Sequence, residues 1–224
     1  MNGRLSRLRE RWGDPLLTTL TMLTVFFMFV IAPLQAVAIL QFQEFAFIFT
    51  LLFVGGVFIM SGSFTAVILV LVAAGMAGTA AVHRLTAPSI LDIDLFSGAW
   101  LLVSITLGWV VARAVFARGR VTYHRIVGAI LLYLTIAATF VALFALVGPL
   151  VPNAFSGLSF EDSPGLASKL IYFSFVTLTS TGYGDIVPVH PFARSLCNVE
   201  SIIGQLYPAT LLARLVTLQL ASKG

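Results

Sequence analysis

The chain has 224 residues, of which 59% are hydrophobic and only 10% charged, and its mean hydropathy is +1.02. Soluble domains carry about a quarter charged residues, so this chain is built for lipid and leaves little length for a water-soluble domain. Its net charge of +4 comes largely from arginines flanking apolar runs, which reads as topology information and not as a nucleic-acid surface.

In chain order, the basic stretch from Arg4 to Arg11 leads into an apolar run over 16–40. That run is too long for a signal-peptide core and lacks a small-residue cleavage pattern, so it reads as a retained first span. Asp14 and Pro15 suit the start of this helix, and Pro33 suits a kink in its outer half. Further apolar runs cover 45–60, 64–82, 96–116, 126–148 and 192–219. Ser61-Gly62-Ser63 is weak punctuation between the second and third. A single helix over 45–82 would nevertheless run about 57 Å, too long for one ordinary span. Basic residues mark the cytoplasmic side, so Arg4–Arg11, the cluster Arg113, Arg118, Arg120 and Arg125, and Lys223 belong together. Six spans satisfy this and five do not. His83 and Arg84 then lie outside, beside Asp92 and Asp94, and the small residues Ala73, Ala74, Gly75, Ala77, Gly78 and Ala81 suit close helix packing. His83, His124 and His190 lack metal-ligand spacing and read as helix-end residues. Cys197, the lone cysteine, forms neither an internal disulfide nor a C-x-x-C site.

Between the last two runs lies Ser163-Pro164-Gly165, then an apolar stretch over 166–178 that is too short to cross a bilayer. A capping serine and a first-turn proline start a helix there. Such a half-helix is tolerated only where protein buries it or where it lines an aqueous cavity. Its carboxyl end carries a negative partial charge that favours a cation. Thr179-Ser180-Thr181-Gly182-Tyr183-Gly184-Asp185 follows. A pore that strips water from an ion needs stacked oxygen ligands. Backbone carbonyls supply them when the chain alternates ordinary and left-handed residues, the latter best served by glycine. Gly182 and Gly184 alternate with Thr181 and Tyr183 in that way. The carbonyls of Ser180, Thr181, Gly182 and Tyr183 are expected on the axis, the Ser180 hydroxyl as the innermost ring, and Tyr183 pointing away to brace the filter. An accidental turn is the competing reading, since glycine, tyrosine and aspartate are ordinary turn residues. The position between a half-helix and a final span argues against accident.

Residues 125–219 resemble the potassium-channel superfamily, whose filter signature is T-x-G-Y-G-D, and the arrangement is similar to short bacterial six-helix potassium channels without a large cytoplasmic domain. The resemblance implies an all-α membrane protein with six transmembrane helices and a re-entrant pore helix and filter between the fifth and sixth. It implies a four-helix region over 1–120 and a pore region over 121–224, in the cell membrane with both termini cytoplasmic. K+ is then the permeant ion, held at Ser180, Thr181, Gly182, Tyr183 and Gly184, with no cofactor. Asp185 closes the outer mouth, with Pro188 three residues on, and Gly204 stands at the gating-glycine position of the inner helix. Ser180 replaces the usual threonine, and Thr181 stands where valine or isoleucine is commoner. Tyr172 and Phe173, with Thr179, occupy filter-support positions, and Val176 replaces a glutamate found in some members.

On the last run, Asn198, Ser201, Gln205, Pro208 and Leu212 share one helical face. That face either lines a hydrated cavity or forms interhelical hydrogen bonds. Gly204 and Pro208 together suggest a gating hinge, with a static bend at Pro208 as the competing reading. Glu200 is a carboxylate inside a span, set off the cavity face, so a structural partner behind the filter is favoured over ion binding. Glu161 and Asp162 either join Asp185 at the outer mouth or belong to a solvated loop and helix N-terminus. A voltage sensor needs arginines at every third position. Arg113 alone lies within the fourth span, so weak voltage dependence is expected. No nucleophile–base pair or metal cluster marks an enzyme, and one double-glycine hairpin does not match a four-hairpin transporter. A non-selective cation channel is the rival reading, on account of Thr181. One filter per chain requires four chains around the ion, hence a homotetramer in the lipid bilayer. The sequence ends a few residues beyond the last run, so no cytoplasmic regulatory domain is expected.

Overall fold

A computed structural model describes residues 15–37, 55–57, 63–86, 90–116, 123–160 and 163–221. The helices in chain order are α1 (Pro15–Ala36), α2 (Phe64–Thr86), α3 (Ile90–Val115), α4 (Tyr123–Leu150), α5 (Pro164–Leu178) and α6 (Pro191–Ala221). Two short strands, β1 (Phe155–Ser156) and β2 (Val187–Pro188), flank α5 in sequence.

Within α1, residues Phe27–Ile31 form a π-helical turn just before Pro33. Proline offers no amide hydrogen and its ring presses on the carbonyl four residues back. Widening the preceding turn lets the helix pass Pro33 without breaking.

Among the described residues, α1, α2, α3 and α4 are long and apolar enough to cross a membrane. The chain is therefore a helical membrane-spanning protein. The expected run over 45–60 lies largely outside the described residues, as do Arg4–Arg11, Asp14, Ser61, Gly62, Arg118, Arg120, Glu161, Asp162 and Lys223. At 31 residues α6 is long enough to cross, but it is not among the four. Arg194, Asn198, Glu200, Ser201 and Gln205 dilute its apolar character.

Two packing centres organise the described residues. One joins α1 through α4, with Leu17, Leu20, Val70, Leu107, Val111 and Leu131 at its heart. The other surrounds Phe144, whose ring lies 5.0 Å from Phe173 and 5.6 Å from Phe155. It binds α4, the following loop, α5 and α6 into one block. A smaller patch carries the second half of α1 onto the back of α5: Met28 and Ala32 pack with Leu134, Ala138 and Ile171, and the Phe29 and Phe175 rings are 5.0 Å apart. Lipid tails are as apolar as these side chains, so this burial stabilises through close packing more than through removal of water.

Candidate ion-conducting site

The half-helix α5 starts as an N-terminus should, with Ser163 in an extended conformation (φ −127°, ψ 147°) and Pro164 in the first turn. Its serine makes no side-chain cap, contrary to expectation. The backbone closes the turn instead, as the Leu166 amide donates to the Ser163 carbonyl at 3.1 Å. The helix ends against α6. A side chain at Gly204 would run into the Leu178 carbonyl, so the absence of a side chain there lets the carboxyl end of α5 touch the α6 backbone. Gly204 thus has a packing duty that its reading as a hinge alone did not include.

Beyond Leu178 the chain folds back over its own helix end. The Thr179 amide donates to Phe175, the Ser180 amide to Thr177, and the Thr181 and Gly182 amides both to the Val176 carbonyl. From there the backbone alternates. Ser180, Gly182 and Gly184 have φ of +56°, +59° and +81°, while Thr181 and Tyr183 are not among the positive-φ residues. Such alternation turns successive carbonyls of an extended strand to one side, the arrangement a carbonyl-lined ion path requires. The left-handed Ser180 was not anticipated from the sequence. It bears the strain an L-residue meets there, offset in part by Gln205, whose Nε2 donates to Ser180 Oγ at 3.1 Å.

Thr179 Oγ1 donates to the Phe175 carbonyl at 2.7 Å and lies 2.8 Å from Thr181 Oγ1. Thr181, which stands where an aliphatic residue is commoner, therefore has its hydroxyl engaged with a neighbour on the same strand. Tyr183 stacks on Tyr172 with ring planes 3° apart and centroids at 6.2 Å. Phe173 turns the opposite way: it is buried against Phe144 and Phe155 and steadies α5 from behind instead of touching Tyr183. Every residue from Thr179 to Asp185 is exposed in a single chain, Tyr183 at 71%.

The outer end of this strand is fastened to the loop after α4. Phe155 pairs with Pro188 and Ser156 with Val187 in antiparallel register, and the Val189 amide donates to the Ala154 carbonyl at 2.9 Å. Gly157 has φ +80°, and a side chain there would strike the Asp185 carbonyl. Arg194 Nε donates to the Pro188 carbonyl at 3.2 Å. Sequence reasoning missed this clamp, although a glycine after Pro152-Asn153 was a visible turn signal.

On α6, Ser201 donates to the Thr177 carbonyl at 3.1 Å, so the polar face does meet the end of α5. Asn198, Gln205, Pro208 and Leu212 are exposed in the single chain on that face. Glu200 is fully buried on the other side, its Oε1 2.5 Å from Ser174 Oγ. Lower down, Tyr207 donates to the Ala129 carbonyl at 2.7 Å and stacks on Tyr133. Arg214 donates to the Phe116 carbonyl at 3.0 Å, tying α6 to the end of α3. Arg113 lies over the Trp109 ring at 4.9 Å, and among the described residues no group of His, Cys, Asp and Glu is placed to hold a metal ion.

A family profile described as "Ion channel" matches residues 128–219, the segment from α4 through the alternating strand into α6. The chain is 33% identical over 75 residues to the inward rectifier potassium channel Kirbac3.1 of Paramagnetospirillum magnetotacticum. The chain belongs to the potassium-channel superfamily. That alignment covers 34% of this chain and 23% of Kirbac3.1, so the chain spans about a quarter of that relative's length. It is also 30% identical over 121 residues to Protein LctB of Bacillus caldotenax, covering 53% of this chain and 88% of LctB. No solved structure matches at a significant level. As a superfamily member, the chain has its ion-channel segment where the half-helix and the alternating strand lie.

Proposed function

We propose that this chain is one subunit of a homotetrameric, potassium-selective channel that conducts K+ passively across the cell membrane. The observation that carries the reading is the alternation of left-handed residues at Ser180, Gly182 and Gly184 directly after the carboxyl end of α5. Four such strands around one axis would present rings of carbonyls from Ser180, Thr181, Gly182 and Tyr183, closed below by the Ser180 hydroxyls, in place of the ion's water shell. The exposure of this strand in a single chain supports assembly, because neighbouring copies would cover Tyr183 and enclose the path. The helix ends of α5 would add negative partial charge to a cavity walled by Gln205, Pro208 and Leu212. The chain is read as six spans with both termini cytoplasmic, passing ions without chemistry and without a cofactor. Gating is assigned to a bend at 204–208. The contact of Gly204 with Leu178 leaves most of the movement to Pro208, which lacks the helical amide.

The test is the reversal potential of the purified protein in planar bilayers, with potassium on one side and sodium on the other. A value near the potassium equilibrium potential is expected. Robust current reversing near zero would replace this reading with a non-selective cation pore, and Thr181→Val would then be the first reversion. The engagement of the Thr181 hydroxyl with Thr179 supports the selective outcome, since that hydroxyl is not free to take a carbonyl's place.

A further inference from the structure

Glu200 is the carboxyl group that the conduction pathway leaves unused. It sits on α6 with no exposed surface, between α4 and α5. A carboxylate buried at this depth is costly unless paired or fully hydrogen-bonded. Among the described residues no lysine, arginine or histidine forms an ion pair with it. The titratable groups that act on it from the neighbouring helices and from its own are the Tyr133 hydroxyl and the Cys197 thiol. Neither carries a positive charge.

The hydrogens around it can be counted. Ser174 Oγ is 3.1 Å from the Ala137 carbonyl and 2.5 Å from Glu200 Oε1. A serine hydroxyl owns one hydrogen. If Glu200 were ionised, both partners would be pure acceptors competing for that hydrogen, and one close oxygen pair would be left without a proton. One more proton on Oε1 resolves both contacts. The carboxyl O–H donates to Ser174 Oγ, and the Ser174 O–H donates to the Ala137 carbonyl. The same assignment accounts for Glu200 Oε2, which is buried without a hydrogen-bond partner. As a neutral acid's carbonyl oxygen it is a weaker acceptor than a carboxylate oxygen, and leaving it unmet costs far less.

We infer that Glu200 is held as a neutral carboxylic acid that donates a hydrogen bond to Ser174, forming a proton-bearing strut from inner helix through pore helix to outer helix. Its consequence for conduction rests on the channel reading given above. Glu200 is a positioning residue: it sets α5 against α6 one turn behind the filter and adds no charge to the ion path. The attraction for cations is left to the helix ends and the filter carbonyls.

Infrared difference spectroscopy of the purified full-length protein against its Glu200→Gln variant at neutral pH tests the proton directly and needs no ion flux. The carbonyl stretching band of a protonated carboxylic acid is expected in the unmodified protein and not in the variant. In Ser174→Ala that band should persist and shift to higher frequency, because the acid has lost its acceptor. A difference spectrum showing only carboxylate bands, or a band unmoved in Ser174→Ala, would overturn the assignment. A second arm reads potassium flux from liposomes. Glutamine keeps both shape and a donor, so Glu200→Gln should stay within about twofold of the unmodified protein while Glu200→Ala falls well below it. A loss of about tenfold or more in Glu200→Gln would indicate a charge that concentrates cations and would refute the neutral strut. A silent unmodified protein would count against the channel reading alone, since the infrared band is judged separately.

Discussion

The helices before residue 117 and those after residue 122 are built from similar apolar residues but are held together differently. In α1, α2 and α3 several side-chain hydroxyls bond back to their own helix, as Thr135 and Thr139 of α4 also do. Thr19 donates to Pro15, Thr24 to Leu20, Thr79 to Met76 and Ser104 to Leu101. Such bonds satisfy a polar group in lipid without fixing any neighbour. In the later region more of the polar side chains cross between elements: Ser174 to Ala137 and Glu200, Ser201 to Thr177, Gln205 to Ser180, Tyr207 to Ala129 and Arg194 to Pro188. Van der Waals packing alone leaves helices in lipid free to slide and rotate by small amounts. A filter tolerates no such slack, because its oxygens must keep their spacing around an ion. The early helices do reach across at a few points, as where Thr18 meets His124 at 2.8 Å and His83 meets Asp92 at the same distance. Those ties sit toward helix ends, as both histidines were expected to.

If the later region owes its function to this pinning, substitutions there should disturb conduction more than equally large changes in the early helices. The largest effect is expected from Gly182→Ala. Its φ of +59° imposes about 1–2 kcal/mol on an L-residue, repeated in every subunit, and loss of potassium-selective current in bilayer recordings is the expected result. Next comes Gly204→Ala, whose methyl meets the Leu178 carbonyl. Forcing α5 and α6 apart should cost about 1–3 kcal/mol, seen as a lower melting temperature in detergent together with reduced flux. Tyr172→Ala removes the stack under Tyr183, worth about 0.5–1.5 kcal/mol, and should loosen potassium-over-sodium selectivity as read from the reversal potential. Tyr207→Phe deletes the bond to the Ala129 carbonyl. A loss of about 1 kcal/mol in thermal stability is expected with the filter's selectivity unchanged.

The smallest effect belongs to the early region. Arg113→Gln gives up the contact over Trp109, about 0.5 kcal/mol at an exposed site, and should leave the voltage dependence of opening where it was. Steep voltage dependence that vanished in this variant would erase the contrast between the two regions, since a lone arginine would then be acting as a sensor.

Much of the candidate site was legible in the residues themselves. Gly182 and Gly184 announce left-handed backbone, and the stretch before them is too short to cross a bilayer. Pro33 announced a disturbance in α1, though not that a π-helical turn would absorb it. Ser180 was legible as a hydroxyl but not as a left-handed residue. Its conformation is imposed by amide bonds to the end of α5, while local propensity favours ordinary φ. The opposite directions of Tyr172 and Phe173 were hidden for a simpler reason. Adjacent residues on a helix point about 100° apart, so only one of a neighbouring pair faces Tyr183.

Apolar run lengths and the punctuation around them determined a helical membrane protein, and the glycine spacing after 178 determined where left-handed backbone falls, because lipid and backbone geometry act on each residue locally. Tertiary structure alone decided which contacts hold that strand in place. The closeness of Gly204 to Leu178, the clamp of β1 on β2 and the burial of Glu200 against Ser174 each join residues at least 26 positions apart. Such pairings depend on how helices cross and not on any property a single segment carries.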